Sequence, residues 1–262
     1  MSELFRRLAA RAGGRFGWYP YLRVRSGPGR DLRVSLQRAS ANYALGTNEL
    51  PVQQAVQDHL RPGDVFYDIG SNIGFFALIA ARAVGADGRV VAFEPVPANA
   101  KRIRANAARN GFGQIRVVEV AVGREAGGGA GATLTLSRHP GGASLFGEAP
   151  PDATGTIEVA TASVDELVAA GRTDPPTLVK VDVEGTELDV LGGMRSTLAS
   201  HSPLLIVELD GPSSDEVMAK LDELRSFLDS VEYSAMVLDP SYSDVDWHVV
   251  HVLSRRRPTP TG

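Results

Sequence analysis

The sequence contains no cysteine. That excludes disulfides, thiolate zinc sites and cysteine nucleophiles together, and it fits the reducing cytoplasm, the expected location. It also lacks any apolar run approaching the roughly 20 residues needed to cross a bilayer, so no transmembrane segment is expected. The N-terminal stretch MSELFRRLAARAGG scatters arginines through a short apolar pattern and has no continuous apolar core of the kind a signal peptide carries. It reads as a short amphipathic helix packed on the domain. A basic excess is missing as well. The 27 Lys and Arg residues against 31 Asp and Glu leave a net charge of -4, whereas nucleic-acid binders usually present a basic face, so no nucleic-acid partner is expected.

What is present suits one sizeable globular unit of 262 residues, with 43% hydrophobic and 22% charged residues. We divide it into residues 1–47, an N-terminal helix and hairpin segment packing on the core; 48–254, the main domain, with a glycine-rich insertion at 123–160; and 255–262, a frayed tail. YLRVR and LRVSL around Gly27-Pro28-Gly29 predict a hairpin. Asn48 is placed to cap a helix over 49–60, with Pro51 tolerated in its first turn. VFYDIG, RVVAFEP and IRVVEVAVG then read as strands, separated by the helical stretches GFFALIAARAVG and PANAKRIRANAARNG. Strands alternating with helices at this spacing predict a doubly wound, mostly parallel α/β sheet. TLTLS and TIEVATA are expected to pair as a small antiparallel insertion, and SVDELVAAG is a helix capped by Ser163. Further on, TLVKVDVEG and PLLIVELD are strands around a helix TELDVLGGMRSTLAS. EVMAKLDELRSFLDS is another helix, and SAMVL and WHVVHVLS are the last strands.

The turn Asp68-x-Gly70-x-Asn72-x-Gly74, with Ser71 inside it, ends the first of these parallel strands and opens a helix. Its glycines permit close backbone approach to a ligand, and a helix N-terminus offers unpaired N–H groups. A dinucleotide site has G-x-G-x-x-G there and no acid before it. An acid at Asp68 repels phosphate and suits a ligand carrying an ammonium and a sulfonium. Glu94, followed by Pro95, ends the next strand 26 residues after Asp68, near the spacing of roughly 20 at which such an acid meets ribose hydroxyls. The two features together describe a positively charged nucleoside without phosphate, S-adenosylmethionine. A nicotinamide-dependent oxidoreductase and a non-catalytic nucleoside-binding module are the alternatives.

The segments GDVFYDIGSNIGFFAL (63–78), VVAFEPVPANAKRIRANAARNG (90–111), LVKVDVEGTELDVLGGM (178–194) and PLLIVEL (203–209) resemble the FkbM-type methyltransferases, a branch of the class I S-adenosylmethionine-dependent enzymes. The resemblance implies a Rossmann-like, mostly parallel seven-stranded sheet with one antiparallel strand. It implies O-methylation of a sugar, glycolipid or polyketide-type hydroxyl, and hence a small-molecule acceptor. It also implies that Asp68, Gly70, Asn72 and Gly74 hold the methionine part of the cofactor and Glu94 its ribose. Many class I enzymes carry an acid after the third strand for the adenine. Here that segment reads VAVG, so Ala121 and Val122 offer backbone atoms only.

In the strand TLVKVDVEG, alternation puts Leu178, Lys180, Asp182 and Glu184 on one face. A lysine among apolar residues needs a partner, and Asp182 is the natural one. Glu184 then stands at the carboxyl end of the sheet, where open α/β folds bind ligands. Asp182 and Glu184 are the candidate bases for an acceptor hydroxyl. His139, in SRHPGGASLF, is the third, on a segment that reads as a lid. His201, His248 and His251 carry no motif. The acids Asp182, Glu184, Glu187, Asp189, Glu208 and Asp210 raise the question of a hard cation. Glu187 and Asp189 read as a solvated helix face, however, and no metal ligand is assigned. The oligomeric state is not legible in the sequence.

Overall fold

The computed structural model describes residues 21–35, 41–124, 131–137, 143–144, 153–242 and 248–258. The expected N-terminal helix, His139 and the end of the tail lie outside these residues. The hairpin forms as read: β1 (Tyr21–Arg23) pairs antiparallel with β2 (Arg33–Ser35). After α1 (Ala41–Leu45) comes α2 (Leu50–His59). Asn48 does not cap it. The cap position falls on Glu49, whose backbone is left-handed at φ 46°, and the Asn48 side chain instead donates to the Glu49 carboxylate at 2.7 Å.

The central alternation follows, with β3 (Val65–Ile69), α3 (Phe75–Val84), β4 (Arg89–Phe93), α4 (Pro97–Asn110) and β5 (Ile115–Val118). The short β6 (Ala121–Val122) and β10 (Thr161–Ala162) pair in parallel. Between them, β7 (Ala132–Ser137), β8 (Ala143–Ser144) and β9 (Ala153–Val159) build a small antiparallel sheet in the order β8-β7-β9, as TLTLS and TIEVATA suggested. Helix α5 (Val164–Ala169) begins with the Ser163 hydroxyl accepting the Glu166 N–H.

Strand β11 (Leu178–Val181) is followed by two short helices, α6 (Glu187–Gly192) and α7 (Arg195–His201), rather than the single helix expected. The break falls at Gly192-Gly193, and Asp165 on α5 caps the second helix by accepting the Ser196 and Thr197 N–H groups at 2.8 and 2.7 Å. Such a cap, from a residue 31 positions away, cannot be seen in local sequence. Strand β12 (Leu204–Gly211), α8 (Ser214–Ser230), β13 (Tyr233–Val237) and β14 (His248–Arg256) complete the chain. Strand β14 thus runs past 254.

The main sheet has seven strands in the order β13-β14-β12-β11-β3-β4-β5. Strand β14 runs antiparallel to both its neighbours, and the other pairings are parallel. Strand alternation divides the core in two. Phe66, Val90, Leu178, Ile206 and Leu253 pack with the hairpin, α2 and α3 on one face. Tyr67, Val91, Val179, Leu205 and Val252 pack with α5 to α8 on the other. Among the described residues no helix is long and apolar enough to cross a membrane.

Candidate active site

Lys180 and Asp68 are register partners on adjacent strands and share the face on which Phe66 and Leu178 pack. By the same alternation Asp182, Glu208 and His251 stand one pleat further toward the carboxyl end, with Glu208 and His251 directly paired across β12 and β14. The site is therefore a polar patch set into the end of an apolar sheet face. Lys180 is fully buried. Its ammonium donates to Asp182 at 2.7 Å and lies 4.6 Å from the centre of the Phe76 ring. Burial works against that charge, but Asp182, Glu49, Glu208 and Asp68 outweigh it and hold Lys180 firmly protonated. Asp182 keeps 28% of its side chain exposed.

The loop after β3 is stitched to both neighbouring strands. The N–H groups of Gly70 and Ser71 both donate to the Phe93 carbonyl. Ser71 also donates its hydroxyl to the Asp68 carbonyl at 2.6 Å. Gly70, Asn72 and Gly74 all have positive φ, at 83°, 50° and 79°. At Gly70 the reason is steric and internal: a Cβ there falls 1.7 Å from the Asp182 carbonyl oxygen. At Gly74 a Cβ meets Ile103 of α4 at 2.9 Å. Both glycines thus answer first to the packing of the chain on itself. The buried Asn106 of α4, which sequence reasoning passed over, supports the same loop. It donates to the Ile73 carbonyl and accepts from Ser35 of the hairpin, both at 2.9 Å.

Asp68 is buried, and its carboxylate accepts the Ala77 N–H at 3.0 Å. The helix end is therefore not wholly open, as the sequence suggested, because the acid already answers its positive pole. Burial pushes the Asp68 carboxyl up to about 6, with Lys180 pulling the other way. Glu94 is likewise buried. It accepts the Asn72 N–H at 2.8 Å, the Val96 N–H at 2.9 Å and the Asn99 amide at 3.3 Å. Burial raises it to about 7 against the pull of those donors. Pro95 is half-buried beside it. Ala121 and Val122 are buried, and the Ala121 N–H is already committed to the Ala160 carbonyl at 2.8 Å.

Glu184 lies just beyond β11, exposed, in a left-handed turn with φ 56°, followed by Gly185 at 101°. Partial desolvation and the carboxylates of Asp182, Asp210, Glu208 and Glu187 push its carboxyl up. Glu187 is not part of a solvated face. It is buried and accepts the Gly185 N–H at 2.8 Å, which shapes this turn. Asp189 does face solvent, paired with Arg124 at 3.1 Å.

Of the six acids considered for a cation, only Glu208 joins a group with ligand spacing among the described residues. Its companions are Glu49 and His251. His251, which carries no motif, is buried with Nε2 2.8 Å from Glu208 and 3.6 Å from Glu49. Burial disfavours its charge, yet the contact with Glu208 and the nearby Glu49 carboxylate raise it above the ordinary histidine range, to about 9. Nothing local in the sequence marks this trio, whose members are far apart in the chain.

The methyltransferase FkbM domain model matches residues 68–235, well over half of the chain. The chain belongs to the FkbM methyltransferase family. This member is 32% identical over 177 residues to hexuronic acid methyltransferase AglP of Haloferax volcanii, covering 68% of this chain and 69% of the relative. It is 29% identical over 197 residues to 31-O-demethyl-FK506 methyltransferase FkbM of Streptomyces tacrolimicus, covering 66% and 70%. An rRNA methylase of Streptococcus thermophilus superposes with a TM-score of 0.51 at 11% identity, over 80% of this chain and 96% of that one. This last likeness establishes the Rossmann-like methyltransferase fold and nothing about the acceptor. The FkbM-family protein is an S-adenosylmethionine-dependent methyltransferase, which removes the oxidoreductase and the non-catalytic module from consideration. Because an rRNA methylase has the same fold, the fold does not separate small-molecule acceptors from RNA.

Proposed function

We propose that this FkbM-family enzyme transfers the methyl group of S-adenosylmethionine to a hydroxyl oxygen of a sugar or another hydroxylated small molecule. The observation that carries the reading is the Lys180–Asp182 pair. It sets a partly exposed carboxylate at the carboxyl end of β11, and the Asp182 carbonyl packs directly on Gly70 of the cofactor loop. The name of one relative, a 31-O-demethyl-FK506 methyltransferase, supports an oxygen acceptor, and that of another, a hexuronic acid methyltransferase, supports a sugar.

In this reading the loop from Asp68 to Gly74, with Ser71 and Asn72, holds the methionine part. Glu94 receives a ribose hydroxyl on the acceptor site of Oε2 that Asn72, Val96 and Asn99 leave open, and Pro95 turns the chain beside it. Ala121 and Val122 flank the adenine. The acceptor oxygen attacks the methyl carbon in line, the carbon–sulfur bond breaks with its electron pair staying on sulfur, and the hydroxyl proton passes to Asp182 or, from the rim, to Glu184. Alignment of the two reactants can supply about 7–11 kcal/mol, against roughly 3–5 kcal/mol for a general base. Positioning therefore dominates, and Lys180 serves it by fixing the Asp182 rotamer.

The test is incubation of the purified enzyme with S-adenosylmethionine and three acceptor sets: nucleotide-activated and free hexuronic acids, hydroxylated macrolides, and rRNA fragments. Formation of S-adenosylhomocysteine with an O-methyl product from either of the first two sets is expected. Methylation of RNA alone would overturn the reading.

A further inference from the structure

We propose that Glu49, Glu208 and His251 form a binding site for a divalent first-row transition cation of the zinc or manganese type. His251 Nε2 lies 2.8 Å from Glu208 Oε2 and 3.6 Å from Glu49 Oε2, and one ligand atom from each residue falls within 4.8 Å of the others. Ligands bound to one cation at roughly 2.0–2.2 Å stand about 3.0–3.6 Å from each other at tetrahedral or octahedral angles. The two edges at His251 therefore already lie near the dimensions of a coordination face. A cation would spread the shorter edge by a few tenths of an ångström and leave the longer one in place.

A second observation points at a ligand. Glu49 is 6% exposed, and its Oε2 is a buried atom without a hydrogen-bond partner. Such an atom is costly unless something fills its place. Its other oxygen is held by the Asn48 amide at 2.7 Å and the Tyr242 hydroxyl at 3.3 Å, so the carboxylate is oriented with Oε2 toward His251. On the far side of the imidazole, Nδ1 meets the Ser241 hydroxyl at 3.2 Å. An outer partner at that nitrogen is the usual way a ligating histidine is fixed, with the proton on Nδ1 and the Nε2 lone pair free. With that tautomer Nε2 would confront two carboxylates with a lone pair, an arrangement relieved by a cation or by a second proton, on Nε2.

Charge points the same way. The buried end of the sheet gathers Asp68, Asp182, Glu49 and Glu208 around Lys180. The Lys180 ammonium is in direct contact with Asp182 at 2.7 Å and acts on Glu49 and Glu208 through space, while His251 stands between those two carboxylates. One imidazole and two carboxylates suit borderline cations, while calcium and magnesium prefer all-oxygen sets. The ligands come from three places: the left-handed turn before α2, strand β12 and strand β14. A bound ion would clamp the N-terminal segment onto the sheet beside Lys180 and Asp182. The inference does not depend on the identity of the acceptor.

The test uses the full chain, stripped with a chelator and titrated with Co²⁺, Zn²⁺ and Mn²⁺. Expected are a single high-affinity equivalent by calorimetry, visible Co²⁺ ligand-field bands, and a rise in Tm with metal. Glu49→Gln and His251→Asn should each weaken binding by at least about tenfold. Zinc-edge anomalous diffraction from wild-type crystals should show a peak between the three side chains, a result that stands even if a variant fails to fold. Absence of ligand-field bands at millimolar Co²⁺, equal affinity in folded variants, or an anomalous peak elsewhere only would overturn the proposal. Homocysteine-product binding that persists in the stripped protein would leave the methyltransferase assignment intact in any of these outcomes.

Discussion

Gly70 packs against the main chain of Asp182, so closely that a Cβ on Gly70 would lie 1.7 Å from the Asp182 carbonyl oxygen. The contact joins the loop after β3 to the end of β11, two segments more than 100 residues apart. In the proposed reading it sets the distance between the cofactor side of the site and the acceptor side.

Gly70→Ala should therefore be severe. The left-handed φ of 83° and the backbone clash act together, and their combined cost is on the order of 3 kcal/mol or more. Thermal unfolding should show a large drop in Tm, and affinity for S-adenosylhomocysteine should fall with it. An alanine variant of unchanged Tm would mean that the two segments are not in contact.

The Lys180–Asp182 pair separates stability from turnover. Lys180→Met leaves Asp182, Glu49 and Glu208 without their ammonium. Breaking a fully buried pair costs about 3–5 kcal/mol. Because Asp182 remains 28% exposed and water can reach it, about 2 kcal/mol is expected here, read by denaturant unfolding. Asp182→Asn keeps an oxygen for Lys180 and should lower kcat by about 10²–10⁴ if the carboxylate takes the proton, with cofactor affinity nearly unchanged. Full turnover in this variant would remove Asp182 as the base.

The raised Asp68 and Glu94 carboxyls should make the cofactor-free enzyme pH-sensitive. Burial raises them to about 6 and about 7, from ordinary values of 3.8 and 4.5. A carboxyl raised in the folded state binds more protons folded than unfolded, so its contribution to stability is largest at low pH and is lost as pH climbs through the folded value. The part of stability due to these two acids should thus decline between pH 4 and 7. A ribose hydroxyl donating to Glu94 needs its ionised form, so homocysteine-product affinity should rise with pH up to about 7, by roughly tenfold per unit at the acidic end. Calorimetry in buffers of different ionisation enthalpy should detect proton release on binding. Glu94→Gln should flatten the profile, and a profile identical to wild type would take Glu94 out of ribose binding.

The cap that Asp165 places on α7 is a stability element alone. Asp165→Ala should cost about 1–2 kcal/mol, seen as a lower Tm, while KM for S-adenosylmethionine stays within error of wild type. A large KM effect would connect that helix to the site.

Sequence alone determined the alternation of strands and helices, the hairpin, the antiparallel insertion and the acid-plus-glycine loop, because each is written in neighbouring residues through side-chain period, turn chemistry and capping. It also anticipated the Lys180–Asp182 pair, two positions apart on one strand face. Only the tertiary structure decided why Gly70 is glycine, where the Asp68 and Glu94 carboxylates find their donors, and that Glu187 is buried. It alone brought Glu49, Glu208 and His251 together, from chain positions up to about two hundred residues apart. Local sequence reports a residue's propensity and its near neighbours. Which charges share a low-dielectric pocket is settled by strand order, and strand order is a property of the whole packed sheet.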